Sequence, residues 1–384
     1  MNFFEYTVRK YMKNKLKPTH YFEKDISNCG LTGLISKTGQ LVEGSVIIKS
    51  ITLMHDRGNG LGGGFAAYGI YPEYKEFFAL HLMYEHGQAL QLTEEYLENN
   101  FFIEQGEDIP TRRISAINNP PVFKRYFVKP MQNAEYDDAI ECKKITDEDE
   151  VVNHVMRINN EIEGAFVVSS GKNMGAFKGV GYPEELAEFF RLEEYKGYIW
   201  TGHNRFPTNT PGWWGGAHPF TLLDWSIVHN GEISSYGINK RYLEMYGYLC
   251  TMLTDTEVVA YMLDLLIRKH GLTPELASLA LASPFWDTID ALPMEERELL
   301  TAIRQVYGSA LLNGPFAILF ASNKGLIGLN DRVKLRPLVC AEKGDCVYMA
   351  SEEAAIREIC PSPERVWAPR GGEPVIAMLN QGVN

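Results

Sequence analysis

The 384-residue sequence lacks long apolar runs, closely spaced cysteine pairs and an excess of positive charge. No stretch approaches the roughly 18 uninterrupted apolar residues that would span a bilayer, and residues 1–28 contain no apolar signal-peptide segment. The formal net charge of -12 disfavours nucleic acid and anionic membranes as partners, because both attract positive surfaces. We therefore expect a cytoplasmic protein with neither partner.

The six cysteines are spread along the chain, and no two of them form a Cys-x-x-Cys pair. Disulfide frameworks are improbable in a chain of this size and compartment, and the spacing fits no usual zinc-ligand pattern. We therefore expect no metal site. Ordinary core thiols are expected at Cys142, Cys250, Cys340, Cys346 and Cys360. Cys29 is set apart by the motifs that accompany it, although a buried, inert strand thiol stays the alternative.

The hydrophobic pattern divides the chain into a leader and one large domain. Residues 1–28 show no clear hydrophobic periodicity, and we predict that they are a leader or propeptide. Residues 29–384 are predicted to form the domain. Helices are predicted over Asp255–Lys269 and Glu76–Glu85, the second within a stretch at about 75–195 that we interpret as an inserted α+β lobe. Strands, then helices, then strands are typical of packed sheets with helices outside, so we expect an α+β fold.

A glycine-rich segment follows a further helix that is predicted over Glu43–Asp56. It contains a formal G-x-G-x-x-G match at Gly58, Gly60 and Gly63. A dinucleotide site needs a strand before this motif and a helix after it. The predicted order is the reverse here, so we interpret the segment as a closely packed backbone turn.

Cys29 opens an apolar run, Cys29–Ser36, that reads as a short buried strand. An amide hydrolase needs a nucleophile, a base, a site for the oxyanion and groups that bind its substrate. A cysteine with a free α-amino group supplies the first two, because the amine can act as the base for its own thiol. This chemistry would require removal of Met1–Asn28.

Two charged residues far downstream suit the ends of a free amino acid. The guanidinium of Arg205 matches an α-carboxylate in two parallel hydrogen bonds, with a surface ion pair as the alternative. The carboxylate of Asp255 suits an α-ammonium group. Its alternative role is that of a cap at the start of the predicted helix.

Asn230 and Gly231 follow a strand-like segment and supply donors for an oxyanion. The amide of an asparagine and the backbone N–H of a glycine can together stabilise a tetrahedral intermediate. An Asn-Gly hairpin turn is the alternative, because this dipeptide is a strong turn signal.

The loop Pro207–Ala217 carries two tryptophans among its glycines. Trp213 and Trp214 fit either a hinged lid that excludes water or a rigid surface loop. His218, just after this loop, is interpreted as a structural residue and not as the base.

Taken together, these segments resemble the class II glutamine amidotransferases, which are N-terminal-nucleophile hydrolases. The similarity looks closest to the amidotransferase domain of glutamate synthase. It rests on motifs in a fixed order, namely Cys29-Gly30, Arg205-Phe206-Pro207-Thr208-Asn209-Thr210, His229-Asn230-Gly231-Glu232 and Thr254-Asp255-Thr256-Glu257. The resemblance implies a four-layer αββα sandwich.

The resemblance also implies roles for individual residues. Cys29 would be the nucleophile, Asn230 and Gly231 the oxyanion hole, and Arg205 and Asp255 the ligands of the glutamine carboxylate and amino groups. The remaining implied residues are Thr208 as a substrate contact and Arg57, Trp213, Trp214 and His218 as lid or support.

The same resemblance implies a partner. The chain holds no synthase barrel, so FMN and iron–sulfur clusters are expected only in a separate subunit that accepts ammonia, as in archaeal-type and N-methylglutamate synthases. No cofactor is expected in this chain. Two other functions stay open, which are an amide hydrolase of the same fold without ammonia transfer and a non-catalytic regulatory subunit.

Overall fold

The computed structural model describes residues 29–131, 145–207, 212–380 and 382. The predicted leader, Cys142 and Thr208 lie outside the described residues. The strands are β1 Gly30–Ser36, β2 Val42–Glu43, β3 Gly63–Tyr68, β4 Phe78–Tyr84, β5 Phe101–Asp108, β6 Val122–Pro130, β7 Ala165–Ser169, β8 Met174–Gly179, β9 Lys196–Gly197, β10 Ile199–Asn204, β11 Phe220–Leu222, β12 Trp225–Gly231, β13 Phe316–Ser322, β14 Gly325–Asn330, β15 Val339–Lys343, β16 Cys346–Ala350, β17 Arg365–Trp367 and β18 Val375–Met378. The α-helices are α1 Gly44–Thr52, α2 Gly87–Asn100, α3 Asp147–Glu161, α4 Pro183–Phe189, α5 Tyr236–Glu244, α6 Asp255–Leu263, α7 Pro274–Leu281, α8 Trp286–Asp290, α9 Met294–Val306 and α10 Glu353–Ile359.

Two antiparallel sheets pack face to face at the centre of the molecule. The larger sheet has the strand order β17-β15-β16-β1-β10-β3-β8, and the smaller has β11-β12-β13-β14-β18. Apolar side chains from both inner faces form one cluster, in which Leu31 and Ile35 of β1 join Val228 of β12 and Leu319 of β13. Alternating strand residues therefore fill the space between the sheets.

Helices cover the outer faces of both sheets. Ile47 of α1, Leu186 of α4 and Ile356 of α10 pack with Leu34 and Trp200 on the larger sheet. On the smaller sheet, α6 contributes a helix in which every residue from Thr256 to Leu263 is buried. The arrangement is helix, sheet, sheet, helix, which confirms the predicted four-layer αββα sandwich.

A further sheet, ordered β5-β6-β4-β7, forms a lobe together with α2 and α3. Its strands run from Phe78 to Ser169, whereas β8 and α4 belong to the sandwich, because β8 pairs with β3. The interpretation of residues 75–195 as an insertion stays a prediction. No helix in the described ranges combines the length and apolar character needed to cross a bilayer.

The helix predicted over Glu76–Glu85 is wrong, and the segment is strand β4. All seven residues of β4 are buried, because it lies between β6 and β7 and is covered on both faces. A continuous apolar run of this length fits a buried strand and a helix equally well by periodicity. The helix predicted over Asp255–Lys269 is confirmed, although its last turn, Asp264–Lys269, is π-helical.

Candidate active site

Cys29 lies at the entrance of β1, at the edge of a cavity of about 240 Å³. Its Sγ is 3.2 Å from the backbone N of Phe206 and 3.7 Å from the carbonyl oxygen of the same residue. Burial raises the pKa of the thiol, while the Phe206 backbone and the positive charge of Arg205 lower it. The net result is a raised pKa, so the thiol needs a base before it can attack.

Arg57 fixes the backbone of the nucleophile. Its Nε donates to the carbonyl oxygen of Cys29 at 3.2 Å, and its Nη1 pairs with Glu352 at 2.7 Å. The start of β1 is thereby tied to the residue that precedes α10. This placement agrees with the supporting role implied for Arg57.

Arg205 and Asp255 line the same cavity as Cys29. Arg205 follows β10 directly and is 4% exposed, with its backbone N donating to Gly62 O at 2.9 Å. Burial lowers the pKa of Arg205, and its electrostatic interactions with the acidic groups of Cys29 and Asp255 oppose this in part. A buried guanidinium that interacts with both groups therefore lines the cavity.

The glycine-rich segment before β3 makes this position of Arg205 possible. Gly62 has a φ of +151°, and a Cβ on it would lie 2.9 Å from Cδ of Arg205. A Cβ on Gly58 would lie 1.8 Å from Oδ1 of Asn204. The segment is therefore the closely packed turn that the sequence indicated, and it holds the end of β10.

Asp255 is the first residue of α6, and Thr254 is the cap of that helix. The backbone N–H of Ile233 donates to Asp255 Oδ2 at 2.9 Å, and the hydroxyl of Thr256 donates to Oδ1 at 3.1 Å. Burial raises the pKa of Asp255, but His229 and these hydrogen bonds outweigh it and bring the pKa to about 2. The capping role is wrong, and a charged carboxylate faces the cavity.

Asn230 and Gly231 end strand β12 instead of forming a turn. Asn230 pairs with Ala317 and Gly231 with Phe316 across β12 and β13. Gly231 has a φ of +137°, and a Cβ there would lie 1.9 Å from the carbonyl oxygen of Pro315. The hairpin-turn alternative is therefore wrong, and the backbone approach requires glycine.

The side-chain amide of Asn230 is a buried donor. Its residue is 1% exposed, and Nδ2 has no hydrogen-bond partner within the described part of the chain. A buried donor without an acceptor is costly in a folded protein. Asn230 does not line the cavity itself, but the next residue, Gly231, lines it together with Cys29. A donor of this kind is suited to an oxygen that becomes negative during reaction.

The two tryptophans lie outside the cavity lining. Trp213 packs edge-on against Phe166 of the lobe at 5.3 Å between ring centroids. Trp214 packs against Phe123 and Phe189 at 5.5 and 6.0 Å. Both rings are half-buried and fix the end of the loop to the lobe and to α4, which agrees with support more than with a moving lid.

His218 lines the cavity and belongs to a buried cluster of three histidines. Its ring stacks on His203 at 4.1 Å, and its Nε2 is 2.8 Å from the hydroxyl of Thr256. Burial lowers the pKa of His203 to about 3 and that of His218 well below its usual value. Both rings are neutral, and the sulfur of Cys29 is not among the hydrogen-bonding partners of His218.

Sequence reasoning did not find several residues that position the site. Asn204 donates to the carbonyls of Met54 and His55 at 2.9 Å each, and Thr256 links His218 to Asp255. Thr256 belongs to the Thr254–Glu257 motif and Asn204 immediately precedes Arg205 in the sequence, so their proximity to Asp255 and Arg205 was an available signal. The described residues contain no group of acidic, histidine and cysteine side chains able to hold a metal ion.

Comparison with known proteins identifies the family. The family model described as class-II glutamine amidotransferases matches residues 109–366, a range that contains Arg205, Asn230 and Asp255 and begins after Cys29. An uncharacterized protein of Archaeoglobus fulgidus is 54% identical over 360 residues, which are 93% of this chain and 94% of that protein. A candidate glutamine amidotransferase of Methanothermobacter thermautotrophicus is 23% identical over 342 residues, or 88% of this chain and 95% of the relative.

Among solved structures, the glutamine phosphoribosylpyrophosphate amidotransferase of B. subtilis aligns with a TM-score of 0.46 and 16% identity. The alignment covers 93% of this chain and 49% of that one, so this chain spans about half the length of that enzyme. The family match itself covers well over half of the chain. The chain therefore belongs to the class II glutamine amidotransferases.

Proposed function

We propose that this chain hydrolyses L-glutamine to glutamate and ammonia through a thioester on Cys29 and delivers the ammonia to a synthase partner. The observation that carries the proposal is one cavity that joins a thiol, a buried guanidinium and a charged carboxylate. Arg205 and Asp255 have charges opposite to those at the two ends of a free amino acid. A substrate held by both ends presents its side-chain amide to a fixed point, which is where Cys29 lies in this proposal.

In the proposed reaction, the thiol proton of Cys29 moves to the α-amino group of the same residue after residues 1–28 are removed. The sulfur then attacks the amide carbon of glutamine, and its oxygen becomes negative. Asn230 Nδ2 and the backbone N–H of Gly231 donate to that oxygen. The ammonium proton returns to the leaving nitrogen, ammonia departs, and water hydrolyses the thioester to glutamate.

Self-activation by the α-amine is supported by the surroundings of the sulfur. In the described part of the chain, Sγ has its hydrogen-bonding contacts with the backbone of Phe206, and no histidine or carboxylate is among them. A thiol whose pKa is raised by burial stays protonated at neutral pH. An amine on the same residue is the nearest base that processing could create.

Ammonia transfer to a glutamate synthase-type subunit is the finer part of the proposal. The family supports glutamine as substrate, and FMN and iron–sulfur chemistry would reside in the partner. We also propose that the protein acts in the cytoplasm. The test is glutamine-dependent glutamate formation from 2-oxoglutarate by a glutamate synthase subunit that lacks its own amidotransferase domain. Activation of that subunit by this chain supports transfer, and free ammonia without activation favours a plain amide hydrolase.

The nucleophile is tested by intact mass after treatment with 6-diazo-5-oxo-L-norleucine, an electrophilic glutamine analogue. We expect a chain that begins at Cys29 and carries one adduct. The Cys29→Ala variant should carry no adduct and release no ammonia. Cys346→Ala is the matched control, because Cys346 is also a half-buried free thiol but pairs with Ser36, at the opposite end of β1 from Cys29. A full-length wild-type chain without adduct would favour a regulatory subunit.

A further inference from the structure

A notch in the larger sheet receives the chain segment that follows the loop. Lys178 of β8, Gly64 of β3 and His203 of β10 are consecutive neighbours across the sheet. A Cβ on Gly64 would lie 2.4 Å from the carbonyl oxygen of His218. The missing side chain therefore lets the backbone at His218 lie directly on the sheet, between Lys178 and His203.

Lys178 holds this segment on both sides of His218. Its Nζ donates to the carbonyl oxygen of Gly215 at 2.9 Å and lies 4.1 Å from the centre of the Phe220 ring. The residue is 4% exposed, and no carboxylate within the described ranges is close enough to form an ion pair with it. Burial lowers the pKa of Lys178 to about 7, although the carboxyl group of Glu257 acts in the opposite direction. Burying an amine of this kind costs stability. The burial of Lys178 is better explained by the segment from Gly215 to Phe220 that it holds in place than by a gain in stability.

The held segment connects to the carboxylate in the cavity through two hydrogen bonds. Thr256 Oγ1 donates its single proton to Asp255 Oδ1 at 3.1 Å. The same oxygen lies 2.8 Å from His218 Nε2 and 3.2 Å from His229 Nδ1, so the ring nitrogens of these two histidines are its proton donors. Stacking on the ring of His203 also holds the ring of His218 in place. His218 makes the shorter of the two histidine contacts to Thr256, so its position contributes to the rotamer of Thr256 and thereby to the direction of the Asp255 carboxylate.

We propose that Lys178 is a positioning residue for glutamine binding, which acts through His218 and Thr256 on Asp255. The inference rests on the proposed role of Asp255 as the ligand of the α-ammonium group. Lys178 touches neither Cys29 nor the oxyanion donors, so its loss weakens binding of the substrate amino group and leaves the chemical step intact.

The test compares Lys178→Met with Lys172→Met in the processed full chain. Lys172 lies beside the same strand and places its ammonium 4.6 Å from the Phe78 ring centre, so the control loses an equivalent cation–π contact away from the notch. We expect Lys178→Met to raise KM for glutamine about tenfold with kcat within about twofold. Lys172→Met should leave both constants unchanged.

A second readout separates positioning from general damage to the fold. Glutaramate, which is glutamine without its α-amino group, cannot use Asp255, so Lys178→Met should leave its kcat/KM unchanged. An unchanged KM for glutamine, or equal losses with both substrates, overturns the inference. If the Lys178→Met variant does not fold, Phe220→Leu replaces it as the test. This substitution removes the ring that contacts the Lys178 side chain, and it should also raise KM for glutamine. A wild-type chain that hydrolyses neither amide overturns the proposed function and this inference with it.

Discussion

Replacing Asp255 by asparagine removes one charge from the cavity and keeps the shape of the side chain. The carboxylate receives protons from Ile233 N–H at 2.9 Å and from the Thr256 hydroxyl at 3.1 Å. Its side chain is 21% exposed, so water screens it only in part. An asparagine oxygen can keep one of these bonds, but its NH2 group opposes the other donor.

Two magnitudes follow for Asp255→Asn. The folded protein lowers the pKa from 3.8 to about 2, which favours the charged form by about 2 kcal/mol. We expect up to this loss in the free energy of unfolding at neutral pH. A charge-assisted bond to an α-ammonium contributes about 1.5–3 kcal/mol, so kcat/KM for glutamine should fall about 10- to 150-fold.

The assay measures ammonia release from glutamine and from glutaramate by wild type and variant. Only glutamine carries the α-ammonium group, so the loss should be confined to glutamine. Equal losses with both substrates would refute the assignment of Asp255 to the amino group. Stability gives an independent check by chemical denaturation at several pH values. Because the folded pKa is depressed, the wild-type advantage should be complete above pH 4 and disappear as the pH falls towards about 2.

Three further substitutions test the site and its support. Arg205→Lys should lower kcat/KM for glutamine about 100-fold through loss of the bidentate fork, and 4-aminobutanamide, which lacks the carboxylate, should show no such loss in the same assay. Gly58→Ala would place a Cβ 1.8 Å from Asn204 Oδ1, so we expect a destabilisation of about 2 kcal/mol in urea unfolding, and an unchanged midpoint would contradict the packing argument. Burial, with help from Arg125, lowers the pKa of His81 to about 3. The unfolded chain therefore takes up this proton first as the pH falls below 6.5, and wild type should lose about 1.4 kcal/mol per pH unit relative to His81→Asn; parallel stability curves would refute this.

The sequence predicted the parts of the site whose chemistry is carried by residue type and order. Cys29, Arg205 and Asp255 were singled out by what a thiol, a guanidinium and a carboxylate can do, and the structure brings all three to one cavity. The four-layer sandwich followed from the resemblance and is confirmed. The helix Asp255–Lys269 was visible because its apolar face repeats at helical spacing.

Features that depend on register and burial could not be predicted in the same way. Strand β4 was mistaken for a helix because tertiary packing buries both of its faces. Asn230-Gly231 favours a turn locally, but pairing with β13 overrides this preference. Lys178 gives no signal in the sequence, since its partners at Gly215 and Phe220 meet it only when β8 takes its place beside β3.

The position of β1 in the larger sheet has a consequence for how the protein is made. This strand lies between β10, whose paired residues are Ile199–Asn204, and β16, whose paired residues are Cys346–Ala350. Both neighbours are distant from β1 in the chain, so β1 cannot complete its pairing before residues 346–350 have been synthesised. The ion pair between Arg57 and Glu352 likewise cannot form before Glu352 has been synthesised. The surroundings of the thiol are therefore completed late, and nascent fragments that stop before β16 should hydrolyse no glutamine.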